Sequence, residues 1–277
     1  MFKFLEILIR AILTPLGFSI VRESTVTKAI IFDRLNEALN VWSSAPPILT
    51  YHILKGIQIS NSAQQQDLLA EFISQFSLHD EEKYFVEFGA AAWKLGSNTF
   101  LLETLSWKGI LAEPSKFWHK DLLQRRTSQI DFRCVSAISG EFVSFVESEN
   151  PFLSTQIRLV NEDFNRDRRK SKDIYMVETV SLEDLLLSHS APRYIDYMSI
   201  DTEGNEFEIL SSFFPNSKFS IGFFTIEHNF TFNRDLIYDL LTKIGYVRIL
   251  ASVSNHEDWY VLPSCYKPEL MDFFERI

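Results

Sequence analysis

From Lys83 onward, short apolar runs alternate with longer stretches in which apolar residues recur every three or four positions. The short runs predict strands at 83–88, 109–113, 131–138, 194–200, 219–227, 246–251 and 258–263. The longer stretches predict helices near 97–106, 115–126, 181–188, 205–213, 233–244 and 268–276. Strands joined by helix-length crossovers pair in parallel, whereas the last two are separated only by ASVSNHE and should form an antiparallel hairpin at one edge. The expected architecture is an α/β fold with a seven-stranded, mostly parallel sheet. Before Lys83 the pattern is helical. Ile30, Ile31, Leu35, Ala38, Leu39 and Trp42 share a face until Pro46-Pro47, and Leu68, Leu69, Phe72, Ile73 and Phe76 mark a second helix after Ser62. This divides the chain into a helical region, 1–82, and an α/β domain, 83–277.

The first residues, MFKFLEILIRAILTPLGFSIVRE, carry Lys3, Glu6 and Arg10 within the apolar run, and Ala11 to Ile20 is too short to span a bilayer. They read as an amphipathic helix docked on the core, or as a peripheral membrane contact through Phe2, Phe4, Leu5, Leu8 and Ile12. A net charge of −10 argues against nucleic acid as a partner. The basic run RDRRKSK, Arg166 to Lys172, departs from that balance, either as a solvated loop or as a contact for an anionic substrate or lipid headgroup. Residues 148–172 form the longest polar connection and a candidate lid or substrate loop. Two isolated cysteines, Cys134 and Cys265, give no zinc signature and accord with a reducing, cytoplasmic setting.

The chemistry-bearing residues gather where predicted strands end, the place where open α/β sheets bind ligands. The run KYFVEFG ends in Glu87 and Gly89, and a helix begins near Ser97 and Asn98. Its glycine spacing is not that of dinucleotide sites, and there is no phosphate-binding lysine motif. The next strand ends in Glu113-Pro114, where an acidic side chain can accept both hydroxyls of a ribose or else cap the following helix. The run YIDYMSIDTEGNEFE stops being apolar at Asp201, with Glu203, Gly204 and Glu206 close behind, and Glu227-His228 ends the strand after it.

Taken in order, FVEFGA…SNTFLLE, WKGILAEPSKFWHKDL, SLEDLL, APRYIDYMSIDTEGNEFEIL and FFTIEHN resemble the FkbM-type family of S-adenosylmethionine-dependent methyltransferases, over roughly residues 62–262. The resemblance implies a Rossmann-like class I fold, S-adenosylmethionine as cofactor, and O-methylation of a sugar, glycan or secondary metabolite. It places Glu87, Gly89, Ser97 and Asn98 beside the methionine moiety and Glu113 on the ribose. Ser136 and Ala137 would border the adenine, and Asp201 would flank the sulfonium. One departure is Ala92-Trp93, where relatives commonly have a small polar or acidic residue followed by glycine. There the Trp either stacks outward or fills the methionine pocket.

Proton removal from the acceptor hydroxyl falls to His228, which otherwise reads as a hydrogen-bonded structural histidine, or to Asp201, Glu203 or Glu227, with a divalent metal possible between the carboxylates. The remaining histidines, His52, His79, His119, His189 and His256, read as structural. The rival readings are a non-catalytic cofactor-binding or interaction protein of the same fold, and a nicotinamide-dependent oxidoreductase, which the glycine spacing disfavours.

Overall fold

The computed structural model describes residues 25–163, 165–215 and 217–275. The two readings of residues 1–23 lie outside them. Seven strands form the main sheet: β1 (Tyr84–Phe88), β2 (Lys108–Ala112), β3 (Gln129–Asp131), β8 (Tyr194–Ile200), β9 (Ser220–Glu227), β10 (Val247–Ile249) and β11 (Glu257–Val261). Their order is β10-β11-β9-β8-β1-β2-β3. β1, β2, β3, β8 and β9 run parallel, while β11 is antiparallel to both β9 and β10. All of β1 and nearly all of β8 and β9 are buried. A sheet covered by helices on both faces needs such continuous apolar runs. The fold is therefore the Rossmann-like α/β architecture that the pattern predicts.

From β1 the chain moves outward through β2 and β3 and returns later on the other side of β1 as β8, so a crevice opens between the C-terminal ends of β1 and β8. Helices Thr25–Trp42, Pro47–Gly56 and Gln66–Ser74 close one face of the sheet. Trp42 stacks on Trp259 of β11 with ring centroids 5.4 Å apart, and its indole N–H donates to Gln65 at 2.8 Å. The helical region thus shares its core with the sheet. No helix among the described residues is long and apolar enough to cross a membrane.

Two sequence expectations are corrected. The strand expected at 131–138 breaks after Asp131, whose carboxylate is gripped by the Arg133 guanidinium at 2.6 Å, and resumes as β4 (Cys134–Ser136) in a different sheet. That second sheet, β4-β7-β5-β6, adds β5 (Phe142–Ser148), β6 (Thr155–Gln156) and β7 (Ser171–Ser181). β7 is largely solvent-facing, so its sequence SKDIYMVETVS carries too few apolar residues to announce a strand. The candidate lid or substrate loop is the connection from β5 to β7, which carries β6 and short 3-10 turns at Pro151–Leu153, Ile157–Leu159 and Arg166–Arg168.

Candidate active site

The loop after β1 is built around a buried carboxylate. Glu87 accepts hydrogen bonds from the Asn98 amide at 2.8 Å, from Ser97 Oγ at 3.2 Å and from Thr99 Oγ1. Arg126 faces it through the same hydroxyls, donating to Ser97 Oγ at 3.1 Å and Thr99 Oγ1 at 2.9 Å. Burial raises the Glu87 carboxyl while Arg126 opposes that rise. Gly89 has φ +77°, and a Cβ there would lie 1.6 Å from the Asp201 carbonyl oxygen. Only glycine lets the two strand ends pass so closely. Trp93 points outward, edge-on to Phe100 at 5.4 Å with the Arg125 guanidinium 4.9 Å from its ring centroid. It therefore does not fill the cavity, whose wall here is Gly89, Ala90 and Ala91.

A cavity of about 550 Å³ runs along these strand ends. Glu87, Gly89, Asn98 and Glu113 line it, whereas Ser97 lies beneath the loop as a partner of Glu87. Asn98 donates to Ser199 Oγ at 2.9 Å, and its buried Oδ1 has no partner. Glu113 uses one oxygen on the Ala91 amide at 2.6 Å and the other on the Ser115 amide at 2.7 Å. It is both a backbone clamp and a wall of the cavity, and burial pushes its carboxyl up to about 7. Ser136 and Ala137 are not on the wall. The break after Asp131 brings Cys134 and Val135 there instead, opposite Phe145.

At the other end, Asp201, Glu203 and Glu227 each present a carboxylate oxygen within 4.8 Å of the others. The turn that carries Asp201 and Glu203 is fixed by Glu206, which accepts from the Thr202 amide at 3.0 Å, the Thr202 hydroxyl at 2.8 Å and the Gly204 amide at 2.9 Å. Glu203 sits at φ +58° and accepts from Arg169 at 2.8 Å, Asn165 at 3.2 Å and Asn229 at 3.3 Å. Arg169 is shared with Asp163 at 2.7 Å. Among the described residues, buried Glu227 Oε2 accepts no hydrogen bond from a donor group, and the carboxyl beside it is Asp201. Burial raises Asp201 and Glu227 and takes Glu203 up to about 9, since the pull of Arg169 is weaker than burial and the nearby Asp201 charge together. Such a cluster favours a cation beside it.

Residues 87–250, more than half of the chain, match the model of the methyltransferase FkbM domain. The chain belongs to the FkbM methyltransferase family. No curated protein matches it.

Within this FkbM domain a further expected site residue lies elsewhere. His228 follows β9, but it is buried off the cavity wall, accepting from the Phe230 amide at 3.1 Å with Asp258 3.8 Å away. Burial pushes its imidazole down to about 4. The shared crevice therefore holds Asp201, Glu203 and Glu227 without His228. His256, read from sequence as structural, lines the cavity beside Asn255. Nothing local marks it, because its place depends on the β10–β11 turn folding back across β9. Asn165 and Asn229 are equally invisible as site residues, whereas Arg168 and Arg169 fall in the basic run for which an anionic-substrate contact is one of two readings.

The raised carboxyls make a stability prediction. Folded-state values above the unfolded ones give stability that is complete below about pH 4.5 and is lost as pH rises through the folded values, here about 7 for Glu113 and about 9 for Glu203. Across this window the melting temperature of the free protein should fall. Glu227→Gln should flatten the slope. A wild-type melting temperature that climbs from pH 6 to 9 would contradict the protonated cluster.

Proposed function

We propose that this FkbM chain transfers a methyl group from S-adenosylmethionine to a hydroxyl oxygen of a sugar, glycan or secondary metabolite. The observation that carries the reading is that one continuous cavity joins the Glu113 wall to the Asp201–Glu203–Glu227 cluster. Its volume is ordinary for a small-molecule site. Glu113 keeps lone pairs for two ribose hydroxyls, and Cys134, Val135 and Phe145 offer an apolar slot for a base. The partnerless Asn98 Oδ1 suits an ammonium donor, and the carboxylate cluster suits a sulfonium. When bound, the cofactor supplies an electrophilic methyl group.

The chain's own work is then alignment and proton removal. Holding the acceptor oxygen in line with the methyl carbon contributes several kcal/mol. Asp201 or Glu227, in its ionised form, accepts the hydroxyl proton, and a carboxyl raised by burial toward neutral pH is a stronger base than an exposed one. A divalent ion on the same three oxygens is the second reading, favoured by their mutual spacing. Activity lost to a chelator and restored by magnesium or manganese would select it. The buried free thiols of Cys134 and Cys265 support a cytoplasmic setting.

Calorimetric titration tests the core of the proposal. Wild-type protein should bind both S-adenosylmethionine and its demethylated product, and silence at millimolar ligand would favour a non-catalytic member of the family. Glu113→Gln should weaken binding at least tenfold, because a charge-assisted bond is worth about 1.5–3 kcal/mol. It should also cost some stability through the backbone amides Glu113 holds, so affinity is the diagnostic readout. An unchanged dissociation constant would leave Glu113 only its clamp.

A further inference from the structure

The cavity wall is strongly acidic, with Glu87, Glu113, Asp201, Glu203 and Glu227, yet one lysine or arginine, Arg168, lies on it. Its neighbour Arg169 is fully engaged with Asp163, Glu203 and the carbonyls of Leu153 and Val160. Arg168 is not. Its Nη1 donates to Asn165 Oδ1 at 3.2 Å, and among the described residues no carboxylate pairs with it. Asn165 in turn donates to Glu203 at 3.2 Å, which ties Arg168 to the acidic end of the cavity rather than to the Glu113 end. Phe230, 60% exposed, and Phe152, 44% exposed, line the same cavity.

Arg168 is exposed and keeps most of its guanidinium donors free on the cavity wall, where an anionic ligand group could reach them. The guanidinium plane matches a carboxylate or phosphate by two parallel hydrogen bonds, a geometry no hydroxyl reproduces. The exposed Phe rings supply apolar faces on which a pyranose ring or a comparable hydroxylated ring can lie. We infer that the methyl acceptor is an anionic hydroxylated molecule, a sugar acid or sugar phosphate, whose acidic group pairs with Arg168 while its hydroxyl meets the Asp201 cluster. The inference rests on the methyl-transfer reading above.

The test uses the full chain saturated with S-adenosylhomocysteine and follows D-glucuronate, glucose 6-phosphate and glucose by ligand-observed NMR titration. At least one of the two acids should bind ten times more tightly than glucose, and the stronger of them tells carboxylate from phosphate. Arg168→Gln, an exposed substitution that should leave the fold intact, should erase that advantage and leave the affinity for S-adenosylhomocysteine unchanged. The inference is overturned if the wild-type protein shows no preference for either acid, or if the preference survives Arg168→Gln. It is also overturned if that variant instead loses tenfold in S-adenosylhomocysteine affinity, which would put the guanidinium on the cofactor's own carboxylate. Failure of the wild-type protein to bind S-adenosylhomocysteine, seen before any sugar is added, would remove the methyl-transfer reading and this inference together.

Discussion

Asp201→Asn is expected to lower methyl transfer by about 10²–10⁴-fold, the usual contribution of a positioned acid or base. The fold should tolerate it, since the side chain is isosteric and its backbone amide still donates to the Phe88 carbonyl at 3.1 Å. The substitution removes one of three clustered carboxyl groups and with it both a proton acceptor and a favourable field for a cation. A modest loss of S-adenosylmethionine affinity should accompany the large loss of turnover, while affinity for the neutral demethylated product should hardly change. The measurement is incorporation of labelled methyl into an extract of cells from which this gene has been deleted, where the acceptor persists unmethylated. His228→Ala, run beside it, should retain near-normal turnover because its ring lies off the cavity wall. Equal losses in both variants would return His228 to the site and overturn the assignment.

Arg169→Met should be the most damaging change to stability outside the core. Arg169 is buried and holds Asp163, Glu203 and two carbonyls at once, joining the crossover between β5 and β7 to the turn after β8. Deleting one partner of a buried pair leaves uncompensated charge and costs roughly 3–5 kcal/mol. In a chain of this size that corresponds to a fall in melting temperature on the order of 10 °C. A melting temperature within a degree or two of wild type at pH 7.5 would show that this latch does not hold the crossover.

The main sheet was legible because β1, β8 and β9 are buried on both faces and so must be written in unbroken apolar letters. Glu113 and Asp201 were legible for a related reason: each marks the point where such a run meets a ligand crevice. β5 and β7 were not, because strands with one face in water share their composition with loops. Arg169 shows the limit most clearly. In sequence it sits inside RDRRKSK and looks like one more solvated cation, yet its neighbours in space come from Asp163 and Glu203 as well as from its own segment. His256 and Ser136 failed for another reason. Their positions depend on where a strand bends or a hairpin lands, and neither event leaves a periodic trace.

The close passage of Gly89 over the Asp201 carbonyl bears on how this family should be sorted into active and inactive members. Glycine is demanded there by the meeting of two backbones, whether or not anything occupies the crevice. A relative that has abandoned methyl transfer would still need it to fold, so its retention certifies architecture and says nothing of chemistry. The Asp201 side chain carries no such structural obligation, and its presence is the better marker of a working enzyme.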